Sequence, residues 1–482
     1  MTNLFPYQVE AANHLVSMLR AHGAALDGSD TGTGKTFTAC GVIKLLGVPT
    51  LAVVPKIAET AWHRAAAHVG TSLSTVGWEM VRTGRTPYGH WEHPLEAHEK
   101  TWVCTSCLAT FKDHEVLLGA ACRNNPDGHT LEERKVRHRY GRFVWSGSVG
   151  LLIFDEAHRA GAMKSLNAEL VIAAKRQGIP TLALTATPAC SPLNMRALGY
   201  LLGIHKLDGP CGFYPWSRRL GCRPHPVFKG WAWLVSADRQ RQTMERLHKD
   251  LFPALGVRVR CGDIPGFPER VVEASLLDLD GAGRIDALYA AMRTALAELH
   301  EAKSADVDPD HPLTKLLRAR QELELLKVPA VVELANDYLS SGQSVAVFVN
   351  FRQTIDELSA RLKCDHIIDG TVTGDARQHV IDDFQADEAH CVLVNSKAGG
   401  ICVSLQDLNG DRSRVGLVMP DPSVVTLRQV FGRLHRQGGK STAYYRVILA
   451  AGTKEEDIHR KFTAKSNNLD ALLDSDLMPD EN

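Results

Sequence analysis

The chain has 482 residues, 44% hydrophobic and 23% charged, with Lys plus Arg matching Asp plus Glu at 55 each. The length predicts two or three globular domains, the composition excludes a disordered chain, and the even charge excludes a global nucleic-acid footprint, leaving only a local groove for that purpose. No apolar run reaches the ~20 residues that span a bilayer, and no charged-then-apolar leader opens the chain, so a cytoplasmic protein without a membrane partner is expected.

In chain order, Phe5-Pro6-Tyr7-Gln8 leads into an amphipathic helix with Val9, Ala12, Val16 and Leu19 on one face. The Gln8 carboxamide carries a donor and an acceptor and can read an adenine edge; the alternative is a solvated residue at a helix start. Ala24-Ala25-Leu26 is a short apolar run and Phe37 to Leu46 reads as a helix. Between them stands Gly28-Ser29-Asp30-Thr31-Gly32-Thr33-Gly34-Lys35-Thr36. A phosphate cradle needs a backbone that bends tightly and turns its N–H groups inward, and Gly32 and Gly34 permit that bend. Lys35 supplies a point charge for β- and γ-phosphates, the Thr36 hydroxyl can ligate Mg²⁺, and the following helix offers its N-terminus. Ser29 stands where the commonest form of this loop has glycine. Thr50 to Val54 reads as a buried parallel strand and Lys56 to His68 as a helix, a rhythm that predicts a doubly wound α/β domain.

Residues 82–146 break that rhythm. They hold the single C-x-x-C, Cys104 and Cys107, then Cys122, amid His90, His93, His98, His114, His129 and His138. Eleven cysteines without a disulfide pattern read as reduced thiols or a metal site. Thiolates two residues apart can grip one Zn²⁺, with Cys122 and His129 the preferred second pair; the alternative is two buried cysteines and exposed histidines. Arg134-Lys135-Val136-Arg137-His138-Arg139 suits a polyphosphate backbone or a solvated turn equally.

The rhythm resumes at Leu151-Leu152-Ile153-Phe154, a strand that delivers Asp155-Glu156-Ala157-His158 at its carboxyl end, where parallel sheets bind ligands. Asp155 suits Mg²⁺, and Glu156 can orient or deprotonate an attacking water. The strand Thr181 to Leu184 is followed by Thr185-Ala186-Thr187-Pro188, whose hydroxyls can sense a phosphate. From 206 to about 275 the pattern is hard to parse: Trp216, Trp231 and Trp233 near arginines either meet bases or, more often, pack in a core. Two helical stretches, Arg284 to Lys303 and Leu316 to Leu326, predict a helical hairpin. Strands at Val345, Val392, Val415 and Tyr444 then define a second α/β domain without its own phosphate loop. There Gln429, Arg433 and Arg436, spaced four and three apart, would share a helix face, and an arginine can stabilise a transferring phosphoryl group.

Taken together these strings resemble the superfamily-two helicases and translocases. Ser29 to Thr36 fits their [AS]-x-x-G-x-G-K-[ST] loop, Asp155 to His158 their D-E-x-H motif, and Thr185 to Thr187 their S/T-A-T motif. Asp369-Gly370-Thr371 with Arg377 and Phe384, Lys397-Ala398-Gly399-Gly400 with Leu405, and Gln429 to Gln437 are similar to the Snf-type branch, with Cys402 and Ser404 replacing the usual Gly and Asn. The compact length resembles stand-alone bacteriophage members.

The resemblance implies two RecA-like parallel-sheet domains, with an ATP site in their cleft. The expected boundaries are 1–205 (ATP-binding, with the 82–146 insert), 206–330 (linker and helical protrusion) and 331–482 (helicase C-terminal domain). Lys35, Asp155, Glu156, Arg433 and Arg436 are the expected catalytic residues. Gln8, Ser29, Gly32, Thr33, Gly34 and Thr36 would bind nucleotide, and His158, Thr185, Thr187 and Gln429 would couple its state to the polynucleotide. The expected activity is ATP- and Mg²⁺-dependent movement on duplex or branched DNA in preference to RNA. The alternatives are an RNA helicase and a nucleotide-gated interaction module; no protein partner is legible.

Overall fold

The computed structural model describes residues 3–92, 100–104, 110–111, 131–135, 141–189, 191–225, 230–279, 282–301, 312–372, 374–396, 403–420, 424–453 and 455–456. Strands that are apolar throughout can be buried on both faces, which is the sequence mark of a parallel sheet covered by helices. Such strands make up most of two six-stranded sheets. The first contains β1 (Ala24–Asp27), β2 (Thr50–Val54), β3 (Ser74–Gly77), β4 (Leu151–Asp155), β5 (Thr181–Leu184) and β6 (Gly256–Val257), in the order β6-β1-β5-β4-β2-β3, all parallel. The second contains β7 (Arg270–Leu277), β8 (Ser344–Val349), β9 (Ile367–Ile368), β10 (Cys391–Asn395), β11 (Arg414–Val418) and β12 (Ala443–Ala450), in the order β7-β12-β11-β8-β10-β9, again all parallel.

Side-chain alternation sends each sheet's residues into two separate cores. In β4, Leu152 and Phe154 join one cluster with Leu51 and Val53 of β2, while Leu151 and Ile153 join the other with Ala52 and Val54. The second sheet divides in the same way, with Phe348 on one side and Val347 on the other. The chain is therefore two doubly wound α/β domains, as the alternating rhythm predicts.

Several elements differ in detail from the sequence reading. Helix α2 spans Lys35–Leu46, beginning two residues before Phe37, because Gly34 in the left-handed region launches it directly from the phosphate loop. The stretch from Lys56 opens as a short 3-10 turn, and the helix proper is Glu59–Val69. The hard region after 206 holds helices Phe213–Arg219 and Ala237–Leu251 and the hairpin Cys222–Pro224 with Trp231–Trp233, and it also supplies β6 and β7. Its aromatics pack: Trp233 is buried in the first domain's core, and Arg218 of helix Phe213–Arg219 covers the Trp231 ring at 5.2 Å.

The insert is rooted by antiparallel strands Gly89–Glu92 and Arg142–Trp145, and the Trp145 indole N–H donates to the Leu170 carbonyl at 3.1 Å. Lys100–Cys104 pairs with Thr110–Phe111 and with Leu131–Lys135, which sets Cys104 opposite Leu131. Cys107, Cys122 and His129 lie outside the described residues. The helical hairpin, Ala282–Glu301 and Pro312–Leu325, docks on the second sheet through Ile285, Leu288, Leu323 and Ala450. At its foot the buried Lys327 ammonium donates to Glu455 at 2.7 Å and to the Ile448 carbonyl at 3.2 Å. Among the described residues no helix is long and apolar enough to cross a membrane.

Candidate active site

The carboxyl ends of β1, β4 and β5 converge on the phosphate loop. Gly32 and Gly34 have φ of 95° and 84°, values that residues with a Cβ avoid. A Cβ on Gly34 would lie 2.5 Å from the Gln8 amide nitrogen, so the loop closes against α1 (Pro6–His22). The Gln8 carboxamide is spent on that closure: its oxygen accepts from the Phe5 N–H at 3.1 Å and its nitrogen donates to the Thr33 carbonyl at 3.1 Å. The Tyr7 hydroxyl donates to the same carbonyl at 2.8 Å. Gln8 is therefore buried at the loop rather than solvated at a helix start.

Lys35 Nζ donates to the carbonyls of Ser29 and Asp30 at 2.9 and 3.1 Å, which holds the ammonium inside the curve of the loop. The buried Ser29 hydroxyl accepts from the Val259 N–H at 3.0 Å, and Thr33 Oγ1 donates back to the Asp30 carbonyl at 2.9 Å. Thr36 is the second residue of α2, so its hydroxyl sits at the helix N-terminus.

Asp155 ends β4 and is buried. Its Oδ2 accepts from the Trp62 indole at 2.9 Å, its Oδ1 from the Glu156 N–H at 2.9 Å, and its carbonyl from the Trp78 indole at 2.8 Å. Burial and the adjacent Glu156 charge push the Asp155 carboxyl above the usual range, against the pull of Trp62 and Lys35. For Glu156, burial pushes upward, but His158, Lys35 and Arg433 together outweigh it and hold the carboxyl low. Glu156 is thus the more readily ionised of the two carboxyls, the state a general base requires. Its backbone is left-handed at φ 52°, a conformation costing a non-glycine residue about 1–3 kcal/mol. His158 Nδ1 lies 3.1 Å from Glu156 Oε2 and 3.3 Å from Thr185 Oγ1, joining the acid pair to the fully buried Thr185. Thr185 Oγ1 in turn accepts from the Thr187 N–H at 3.2 Å.

The second domain closes this site. The Gln437 N–H donates to the Gly32 carbonyl at 3.1 Å, and a Cβ on Gly32 would lie 2.5 Å from the His435 carbonyl and 3.3 Å from Arg436. The buried Arg433 guanidinium donates to the Val403 carbonyl at 3.2 Å, and its charge reaches Glu156. One expectation is corrected here. The helix is Val424–Phe431, so Gln429 is helical, but Arg433 and Arg436 lie in the turns beyond its end. The helix ends before Gly432, whose carbonyl accepts from Arg436 Nε at 2.8 Å. Lys397 to Gly400 lie outside the described residues.

Inward-facing glycine backbone, a loop ammonium, a hydroxyl at a helix N-terminus and a buried carboxylate form a donor set that fits a polyphosphate and a hard divalent cation. Two site residues escaped the sequence reading, Trp62 and Trp78, because each reaches Asp155 from far along the chain; the only local signal was a tryptophan inside a predicted helix. Protonated Asp155 cannot hold a cation, so the acid limb of a Mg²⁺-dependent rate, with Mg²⁺ kept below saturation, should have its midpoint above that of an exposed aspartate at this position. Trp62→Phe removes a hydrogen bond that favours the ionised form and should move that midpoint up by about 0.5–1 unit. ATPase rates across pH at fixed Mg²⁺ check this, and an unmoved acid limb contradicts it.

Residues 327–438 match the family described as Helicase conserved C-terminal domain. An Acanthamoeba polyphaga mimivirus protein named "Putative ATP-dependent RNA helicase" is 29% identical over 496 residues, covering 98% of this chain and 84% of that protein. The DNA repair and recombination protein RAD54-like of Drosophila willistoni is 30% identical over 148 residues, 30% of this chain and only 18% of that relative. S. cerevisiae Dbp5 bound to RNA and ADP BeF3 aligns at TM-score 0.44 and 11% identity over 95% of this chain and 93% of that one. The C-terminal match and the near-full-length viral relative are both similarities to helicases.

Proposed function

We propose that this chain hydrolyses ATP between its two sheets and uses the cycle to move along duplex or branched DNA. The observation that carries the reading is the contact of the Arg433–Gln437 segment with phosphate-loop Gly32, beside the carboxylate pair. Lys35 and the loop N–H groups would cradle the β- and γ-phosphates, with Ser29, Thr33 and Gln8 holding the loop in shape. Thr36 and Asp155 would hold Mg²⁺, which when bound neutralises phosphate charge. Glu156 would take the proton of the attacking water, steadied by His158, while Arg433 and Arg436 stabilise charge on the transferring group. Pairing of those arginines with a γ-phosphate draws the domains together, and its loss lets them part. Thr185, Thr187 and Gln429 lie where that motion would pass to a polynucleotide held by its backbone.

The choice of DNA rests on the resemblance of the Asp369–Thr371 and Gln429–Gln437 segments to the Snf-type branch and on relatives named for DNA repair and recombination. An RNA substrate is the second reading, favoured by the name of the viral relative. We also assign one structural Zn²⁺ to the insert, held by Cys104, Cys107, Cys122 and His129. Its support is the pairing of Lys100–Cys104 with Leu131–Lys135, since His129 precedes Leu131 by two residues in the sequence.

ATPase assays with blunt duplex, single-stranded DNA and single-stranded RNA, at one salt concentration, test the function. Duplex should stimulate most; stimulation by single-stranded RNA alone would select the second reading. Glu156→Gln should cut turnover by about a hundredfold or more while ATP still binds, and Lys35→Ala should remove binding; a Glu156→Gln rate within about threefold of wild type contradicts the assignment. Elemental analysis of chelator-free protein should find about one equivalent of zinc, and less than about a tenth would remove the metal from the account.

A further inference from the structure

A loop that binds polyphosphate should not carry an uncompensated acid, because like charges at short range repel strongly in a site shielded from water. Two aspartates nevertheless lie in or directly before this loop, Asp27 and Asp30. Asp27 is 1% exposed beneath the loop, with Oδ1 accepting from the Ser29 N–H at 3.0 Å. Burial pushes its carboxyl up, toward the neutral form. Asp30 is different. Its side chain is about a third exposed, and it sits five residues before Lys35, inside the loop itself.

Its compensation arrives from the chain that links the two domains. Leu255 to Cys261 runs alongside the loop. The N–H groups of Leu26, Gly28 and Asp30 donate to the carbonyls of Leu255, Val257 and Val259 at 3.0, 2.9 and 2.9 Å. Within this zipper the Arg258 guanidinium, 11% exposed, spans the loop: Nη1 donates to the Gly28 carbonyl at 2.9 Å and Nη2 lies 3.2 Å from Asp30 Oδ1. The Cys261 N–H donates to the other carboxylate oxygen at 3.1 Å. Both oxygens of Asp30 are thereby turned toward the linker.

We infer that Arg258 is a positioning residue of the nucleotide site: it neutralises Asp30 and holds its carboxylate away from the phosphates, so that an acid can stand in a phosphate-binding loop. The inference rests on the ATP-site reading above. It assigns no contact between Arg258 and substrate; the guanidinium acts through Asp30 and the Gly28 carbonyl.

The test is a pair of substitutions whose combination separates charge compensation from mere scaffolding. Affinity for MgADP is measured by calorimetry on the full chain, and kcat and KM for ATP are measured in parallel. Arg258→Met exposes the Asp30 charge and should weaken MgADP by about tenfold, with KM raised similarly and kcat within about threefold. Asp30→Asn keeps the acceptor for the Cys261 N–H and removes the charge, so it should bind within about threefold of wild type. The double variant should recover most of the affinity that Arg258→Met loses. Arg258→Lys, which keeps the charge without the two-pronged span, should fall between wild type and Arg258→Met. If Arg258→Met does not fold, as a thermal melt would show, the Lys variant alone and combined with Asp30→Asn carries the comparison. Unchanged affinity in the Arg258 variants, or a double variant no better than Arg258→Met, overturns the inference. A wild-type chain that binds neither MgADP nor MgATP overturns the nucleotide site itself, and with it the role of Arg258.

Discussion

The structure depends on one close approach, the seating of the second domain's 435–437 backbone on Gly32. A hydrogen bond of 3.1 Å joins Gln437 to the Gly32 carbonyl, and only a residue without a Cβ leaves room for the His435 carbonyl beside it. The same glycine therefore both turns the loop through a positive φ and admits the other domain. His435 is held in turn from the linker side. Its Nε2 meets the Pro268 carbonyl at 2.9 Å and its ring meets Phe267 edge-on at 4.8 Å. Burial and the nearby Arg270 charge pull its imidazole down to about 4, so it stays neutral near pH 7 and brings no further cation to the two arginines flanking it.

Around that contact the charges are arranged in opposed pairs. Burial and its neighbour raise the Asp155 carboxyl, while the His158 contact and the charges of Lys35 and Arg433 hold Glu156 low. Two carboxyls adjacent in sequence thus have different chemistry because one lies under tryptophans and the other faces His158, Lys35 and Arg433. The backbone at Glu156 is left-handed, a strain that the surrounding structure sustains. His158 then links this pair to the loop after β5, whose Thr185 N–H donates to the Asp27 carbonyl at the foot of the phosphate loop at 3.0 Å. Three strand ends are in this way tied into one hydrogen-bonded chain.

What was legible in the sequence was whatever the fold keeps contiguous. The phosphate loop, Asp155 to His158 and Thr185 to Thr187 are unbroken strings at the ends of apolar strands, and the alternation of such strands with helices disclosed both parallel sheets. The Arg433–Arg436 segment was legible as a string but not as a shape, because helical spacing continued through Gly432 where the helix stops. Strand β6 was hidden by its length, two residues, and β7 by Glu273 and Ser275, which interrupt its apolar pattern. Trp62, Trp78 and Arg258 were out of reach for another reason: they act on partners 93, 77 and 230 residues away, and no local pattern records such a contact.

The central claim is that the site is completed only when the second domain lends its arginines to the first. Single-turnover hydrolysis by Arg436→Ala, with ATP affinity measured on the same protein, tests it most directly. The account predicts hydrolysis slowed by about 10³-fold or more with affinity within about threefold of wild type. Hydrolysis near the wild-type rate would show that the first domain suffices and would contradict it.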